Sequence, residues 1–203
     1  MIFEKIYTSI LTFDGDQISN ERKEVLRPLI AYIQSKKDTD ATIRLNFICT
    51  HNSRRSHLSQ IWAQTMAHLF GIKNIFCYSG GTEATAMYHT VSKTLANQGF
   101  QILKLSESDN PIYAVKYSTN EAPLICFSKK YDSEFNPKSE FAAVMTCNNA
   151  DVGCPIVLGA ENRFPIKYDD PKLYDHTEFQ VEKYAERSLE IALEMWWVFK
   201  SIN

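Results

Sequence analysis

Residues 43–56 read IRLNFICTHNSRRS, and this stretch decides the fold. From Ile43 to Ile48 the apolar residues come to occupy both parities, which suits a strand covered on both faces of a sheet. The polar turn Cys49-Thr50-His51-Asn52-Ser53-Arg54-Arg55-Ser56 follows at once. Beyond it Leu58, Ile61, Trp62, Met66 and Leu69 recur at helical spacing until Gly71 stops the pattern. A buried strand, a tight turn and a helix in that order predict one unit of an α/β fold, a three-layer sandwich around a mostly parallel sheet.

A turn between a strand end and a helix N-terminus gathers unpaired N–H groups and the positive end of the helix dipole, so it favours an anion. Cys49 opens that turn, and a thiol placed there is expected to lose its proton more readily. Arg55 offers a planar fork that matches two oxygens of a tetrahedral oxyanion. Ser56 can donate its hydroxyl to the thiolate. The predicted anion loop is therefore Thr50, His51, Asn52, Ser53, Arg54, Arg55 and Ser56, with Cys49 as nucleophile and Arg54 the more superficial arginine. The bland alternative makes Cys49 a small apolar residue ending a strand, with both arginines solvated. A Cys–five residues–Arg pair is weak by itself; its place between strand and helix is what strengthens it.

Working outward, Asn20 caps a predicted helix over 21–36, and residues 1–41 form an N-terminal helical extension. A strand from Asn74 to Tyr78 ends at Ser79-Gly80-Gly81; a helix over 86–98 stops near Gly99; Phe100 to Leu103 gives a further strand. Residues 105–140 read as an insertion carrying two strands, Ile112–Tyr117 and Leu124–Phe127, as an excursion from the main sheet. Phe141 to Thr146 is a buried strand that delivers Cys147, and 147–175 is mostly loop. Thr177 and Gln180 form a capping box before a final helix striped by Val181, Tyr184, Ser188, Ile191, Met195 and Phe199. Residues 1–203 read as a single domain.

Composition narrows the classes. The chain has 203 residues, 44% hydrophobic and 23% charged, with a net charge of -2, which disfavours a nucleic-acid partner. No apolar run is long enough for a bilayer and no secretory leader opens the chain, so a cytoplasmic enzyme is expected. Five cysteines argue against a disulfide framework, and the missing C-x-x-C and H-E-x-x-H spacings argue against zinc. Cys77 and Cys126 fall within strands and read as core residues. Cys147 and Cys154 flank a polar, glycine-containing loop; they could pair only if it bends, and two ordinary reduced thiols are equally compatible. Asp170, before Pro171, is restricted to extended backbone and is the candidate general acid, although D-D-P alone is an ordinary turn.

Three motifs together resemble the low-molecular-weight tyrosine phosphatase superfamily, and within it the thioredoxin-coupled arsenate reductases: CTHNSRRS at 49–56, TCNNADVGCP at 146–155 and DDP at 169–171. Tyr78-Ser79-Gly80-Gly81 is a weaker match to their Y-S-A-G. The resemblance covers roughly 42–104 and 141–203 and implies a mechanism. Cys49 would attack arsenate held by Arg55 and the loop amides, with Asp170 assisting the leaving oxygen. Cys147 would attack Cys49 and release arsenite, and Cys154 would resolve the bond, leaving a Cys147–Cys154 disulfide for a thioredoxin-like reductant. A phosphatase would share Cys49, Arg55 and Asp170 but clear a phosphocysteine with water. A phosphoanion-binding module would use the loop alone. No cofactor is expected; potassium is the single candidate ion, and Gln60 replaces an acidic residue that accompanies Asn52 and Ser79 in some reductases.

Overall fold

The computed structural model describes residues 1–153 and 156–203. Its centre is a parallel sheet of β1 (Ile43–Cys49), β2 (Ile75–Gly81), β6 (Phe141–Met145) and β7 (Ala160–Phe164), in the order β2-β1-β6-β7. Period-two alternation divides β1 and β6 between two cores. Leu45, Phe47, Ala142 and Val144 join the larger one, while Ile48, Phe141, Ala143 and Met145 join the smaller one. The larger core receives α1 (Glu4–Ile10), α2 (Asn20–Asp38), α3 (Arg55–Leu69), α4 (His89–Asn97) and α6 (Gln180–Lys200). The smaller core is closed by Ala150 of the short α5 (Asn148–Gly153), Val157 and Tyr131. This is the expected α/β architecture, with helices flanking a parallel sheet.

The remaining strands, β3 (Gln101–Lys104), β4 (Tyr113–Lys116) and β5 (Leu124–Cys126), form a separate antiparallel sheet. The insertion's two expected strands form and stand apart from the main sheet, and they recruit β3 to make a three-stranded meander. The N-terminal segment ties to it: Phe3 N–H donates to the Tyr117 carbonyl at 3.0 Å, and Ile2 bridges to Ser118. Ile6 and Ile10 are buried in the larger core, so this extension packs into the molecule.

Two local expectations fail. The cap of α2 is Ser19, whose hydroxyl accepts from Arg22 N–H, and Asn20 is already helical. No capping box opens α6: Thr177 donates to the Tyr174 carbonyl, and Gln180 donates to Tyr88 and Thr90. Residues 147–175 are mostly loop, as expected, and also carry α5 and β7. β7 is an edge strand whose Glu161 and Asn162 are exposed, so its sequence lacks an apolar rhythm. Among the described residues no helix is long and apolar enough to cross a membrane.

Candidate active site

In the register of β1 against β2, Cys49 stands opposite Gly81. The chain leaves β1 at Cys49, curls through 50–54 and enters α3 at Arg55. Asn52 takes the left-handed conformation, φ 45°, which Asn tolerates better than most residues. Gly81 is needed beside this curl: a Cβ there would lie 2.3 Å from the Glu83 carbonyl, 2.6 Å from the Thr50 carbonyl and 2.7 Å from Asn52 N. A side chain at 81 would push the loop open.

Cys49, His51, Ser53, Arg54, Arg55 and Asp170 line one small cavity. The sulfur of Cys49 is 3.1 Å from Ser56 Oγ, which also accepts from Asn52 Nδ2 at 2.9 Å. While that hydroxyl oxygen accepts from Asn52, its own proton is left available for a thiolate at Cys49. Arg55 donates through Nη1 to the Tyr168 carbonyl at 2.9 Å and through Nη2 to Asp170 Oδ2 at 2.6 Å. The other Asp170 oxygen accepts from Lys172 N–H at 3.1 Å, and its backbone is extended (φ -81°, ψ 116°), as a residue before proline should be. Thr50 and Ser53 serve the loop through main-chain carbonyls, which accept from Glu83 and Tyr88 N–H. The His51 ring turns outward toward Glu83, at 3.5 Å.

Arg54 corrects the expectation of a superficial arginine. Its Nε donates to Tyr184 Oη and its Nη2 to Asp175 Oδ2, each at 2.5 Å, and its guanidinium lies 4.1 Å from the centroid of the Tyr88 ring. These partners come from α6 and the preceding loops. Nothing near position 54 in the sequence announces them.

Cys147 is buried at the start of α5, accepts from Ala150 N–H at 3.3 Å, and lies 3.5 Å from Thr50 Oγ1. It shares the smaller core with Cys49. Cys154 lies outside the described residues. Burial raises the thiol pKa of Cys77 and Cys126, the latter to about 12, which fits their reading as core residues.

Each of the three residues suggested for potassium makes a hydrogen bond within the protein, while Gln60 Oε1 is buried without one. Asn52 Oδ1 accepts from Lys129 N–H, Ser79 Oγ pairs with His57 Nδ1, and Gln60 is a neutral side chain whose Nε2 donates to the Cys77 carbonyl. Burial, with the Lys129 charge next in size, pushes His57 down to about 3. Among the described residues no group of three or more His, Cys, Asp or Glu could hold a metal.

A thiol, an arginine fork and a carboxyl gathered where a strand turns into a helix define a class of site that addresses tetrahedral oxyanions. No family profile and no curated protein sequence matches the chain. Among solved structures it is similar to the low-molecular-weight phosphotyrosine phosphatase VcLMWPTP-2 of Vibrio cholerae O395, with a TM-score of 0.51 and 13% identity over 77% of this chain and 93% of that one. It is also similar to a cysteine-to-serine mutant of the YwlE arginine phosphatase with a phosphorylated active-site serine (TM-score 0.52, 12% identity, 78% and 94% of the two chains). An arsenate reductase from Archaeoglobus fulgidus DSM 4304 aligns more loosely, with a TM-score of 0.47 and 19% identity over 77% and 99%. At these identities the likeness is one of fold: the chain has the low-molecular-weight phosphatase fold.

Proposed function

We propose that this protein reduces arsenate to arsenite by a cysteine relay. The observation that carries the reading is the position of Cys147, buried beside the anion loop with an α5 N–H on its sulfur. A phosphatase that clears its intermediate with water has no use for a second thiol there.

In this reading the loop amides and Arg55 bind arsenate, which takes over the guanidinium hydrogen bond now accepted by Asp170. Released from Arg55, Asp170 takes a proton from the incoming hydrogen arsenate; the Cys49 thiolate attacks arsenic, an S–As bond forms, and one oxygen leaves as water with that proton returned by Asp170. The Cys147 thiolate then attacks the Cys49 sulfur. A disulfide forms, the S–As bond breaks, and its electron pair stays on arsenic, which departs as arsenite. Cys154 attacks Cys147, expels the Cys49 thiolate, and leaves a Cys147–Cys154 disulfide that a thioredoxin-like dithiol reduces.

One observation favours a second reading, hydrolysis of a phosphomonoester. A cleft of about 560 Å³ opens beside the loop, lined by His51, Ser53 and Arg54 on one side and Asp109, Pro111 and Tyr113 of the insertion on the other. An organic leaving group would fill it, whereas arsenate would not. Adding one equivalent of arsenate to fully reduced protein and mapping disulfides by mass spectrometry separates the two readings. The relay requires arsenite and a Cys147–Cys154 bond. Intact thiols together with aryl-phosphate turnover would replace it with the hydrolase.

A further inference from the structure

The meander insertion reaches the anion loop through one buried serine. Ser128 Oγ donates to the His51 carbonyl at 2.8 Å and accepts from Thr85 N–H at 2.8 Å. The next residue, Lys129, donates its N–H to Asn52 Oδ1 at 2.9 Å, while its carbonyl accepts from Gly81 N–H at 2.9 Å. Ser128 is itself held at both backbone groups by one side chain. Asn110 Nδ2 donates to the Ser128 carbonyl at 2.8 Å, and Asn110 Oδ1 accepts from Ser128 N–H at 3.1 Å. Ser128, Lys129 and Asn52 are 2%, 4% and 0% exposed, so water competes little for these bonds.

Within the anion loop the insertion grips His51 and Asn52, and the curl depends on Asn52. Asn52 carries the left-handed backbone, and its amide must face Ser56 to leave that hydroxyl's proton available for a thiolate at Cys49. An amide side chain has two ends. With Oδ1 occupied by Lys129 N–H, Nδ2 is left pointing at Ser56. A continuous line of hydrogen bonds therefore runs from Asn110 through 128–129 and Asn52 to Ser56 and the sulfur.

We infer that Asn110 and Ser128 are positioning residues for the nucleophile, so that the insertion serves as a built-in brace of the anion loop. This rests on the reading of Cys49 as the nucleophile of an oxyanion site. Without the brace, Asn52 is free to rotate its amide and the loop amides spread, so fewer donors face the sulfur and its ligand. Loss of one such buried hydrogen bond corresponds to roughly a fivefold to tenfold change in population.

The test is the rate at which iodoacetamide alkylates Cys49 at pH 7, followed by peptide mass spectrometry, with and without inorganic phosphate. Wild-type protein is expected to react at Cys49 and to be protected by phosphate. N110A and S128A should each react about tenfold more slowly and need more phosphate for protection, while thermal melting shows that they are folded. Asn110 is only partly buried, so its truncation should leave the fold intact even if Ser128→Ala does not. In an N52A background, N110A should slow the reaction by less than about twofold further, because coupled residues are not additive. Folded variants that react at the wild-type rate, or full additivity with N52A, would overturn the brace and leave the site standing. A wild-type Cys49 that phosphate does not protect would remove the site itself, and the brace with it.

Discussion

The sulfur of Cys147 stands 3.5 Å from the hydroxyl oxygen of Thr50, the residue directly after Cys49. This contact links the second thiol to the start of the anion loop, a link that the proposed relay would use and a hydrolase would not. Thr50→Val keeps the shape and removes the polar atom. Arsenate reduction should fall by about fivefold, the loss of one modest hydrogen bond, while aryl-phosphate hydrolysis stays within about twofold. Cys147→Ser should abolish the reduction and spare the hydrolysis. Steady-state rates with both substrates decide it, and an equal loss of the two activities in T50V would remove Thr50 from the relay.

Asp170 occupies Arg55 Nη2, which an incoming anion would also use, so its carboxylate competes with the ligand for that donor. Asp170→Asn removes that negative charge and also removes the proton donor. Inorganic phosphate should bind more tightly, by roughly threefold, because one charge no longer opposes it. The chemical step should slow by about a hundredfold, the low end of general acid catalysis. Calorimetric titration and turnover measured on the same preparation test both halves. A variant with unchanged rate is incompatible with Asp170 as the acid.

The site was legible where its chemistry is local. Cys49, Arg55 and Ser56 sit in one turn whose flanking strand and helix announce themselves by apolar spacing. Cys147 follows an apolar strand that any reading of 141–146 would find. Arg54 was misjudged because Asp175 and Tyr184 are more than a hundred residues away. Ser128 was missed because a lone serine in an insertion carries no pattern, and its importance lies wholly in what the meander brings it against. β7 escaped for a similar reason. An edge strand with exposed Glu161 and Asn162 has the composition of a loop.

Arg54 and Arg55 are neighbours in sequence but should respond differently to the same change. Arg54 has Nε and Nη2 committed to Tyr184 and Asp175 and its plane over Tyr88, an arrangement that lysine cannot reproduce. R54K should lower stability by about 1–3 kcal/mol, as expected when a largely buried, hydrogen-bonded ion pair is impaired, and change phosphate affinity by less than about threefold. R55K should weaken phosphate binding by more than about tenfold through loss of the fork. Denaturant titration beside phosphate titration of both variants provides the comparison. A greater affinity loss in R54K than in R55K would reverse their roles.

Lys129 has a separate consequence, one of stability and not of catalysis. Its ammonium is buried above the Phe127 and Phe135 rings and donates to the Phe127 carbonyl, and this burial pushes it from 10.5 down to about 8. Below pH 8 both the folded and the unfolded protein hold the proton, and the folded one carries the full cost of a buried charge. Between pH 8 and about 10.5 the folded protein has lost the proton while the unfolded chain keeps it, so this group makes stability rise with pH there. Lys129→Met retains the main-chain N–H on Asn52 and removes the charge. At pH 7 the variant should be the more stable protein, and its advantage should shrink by about 3 kcal/mol on going to pH 10.5. Urea unfolding of both proteins at the two pH values measures that difference directly. A constant gap would mean that the ammonium keeps its ordinary pKa, held by solvent that the aromatic rings fail to exclude.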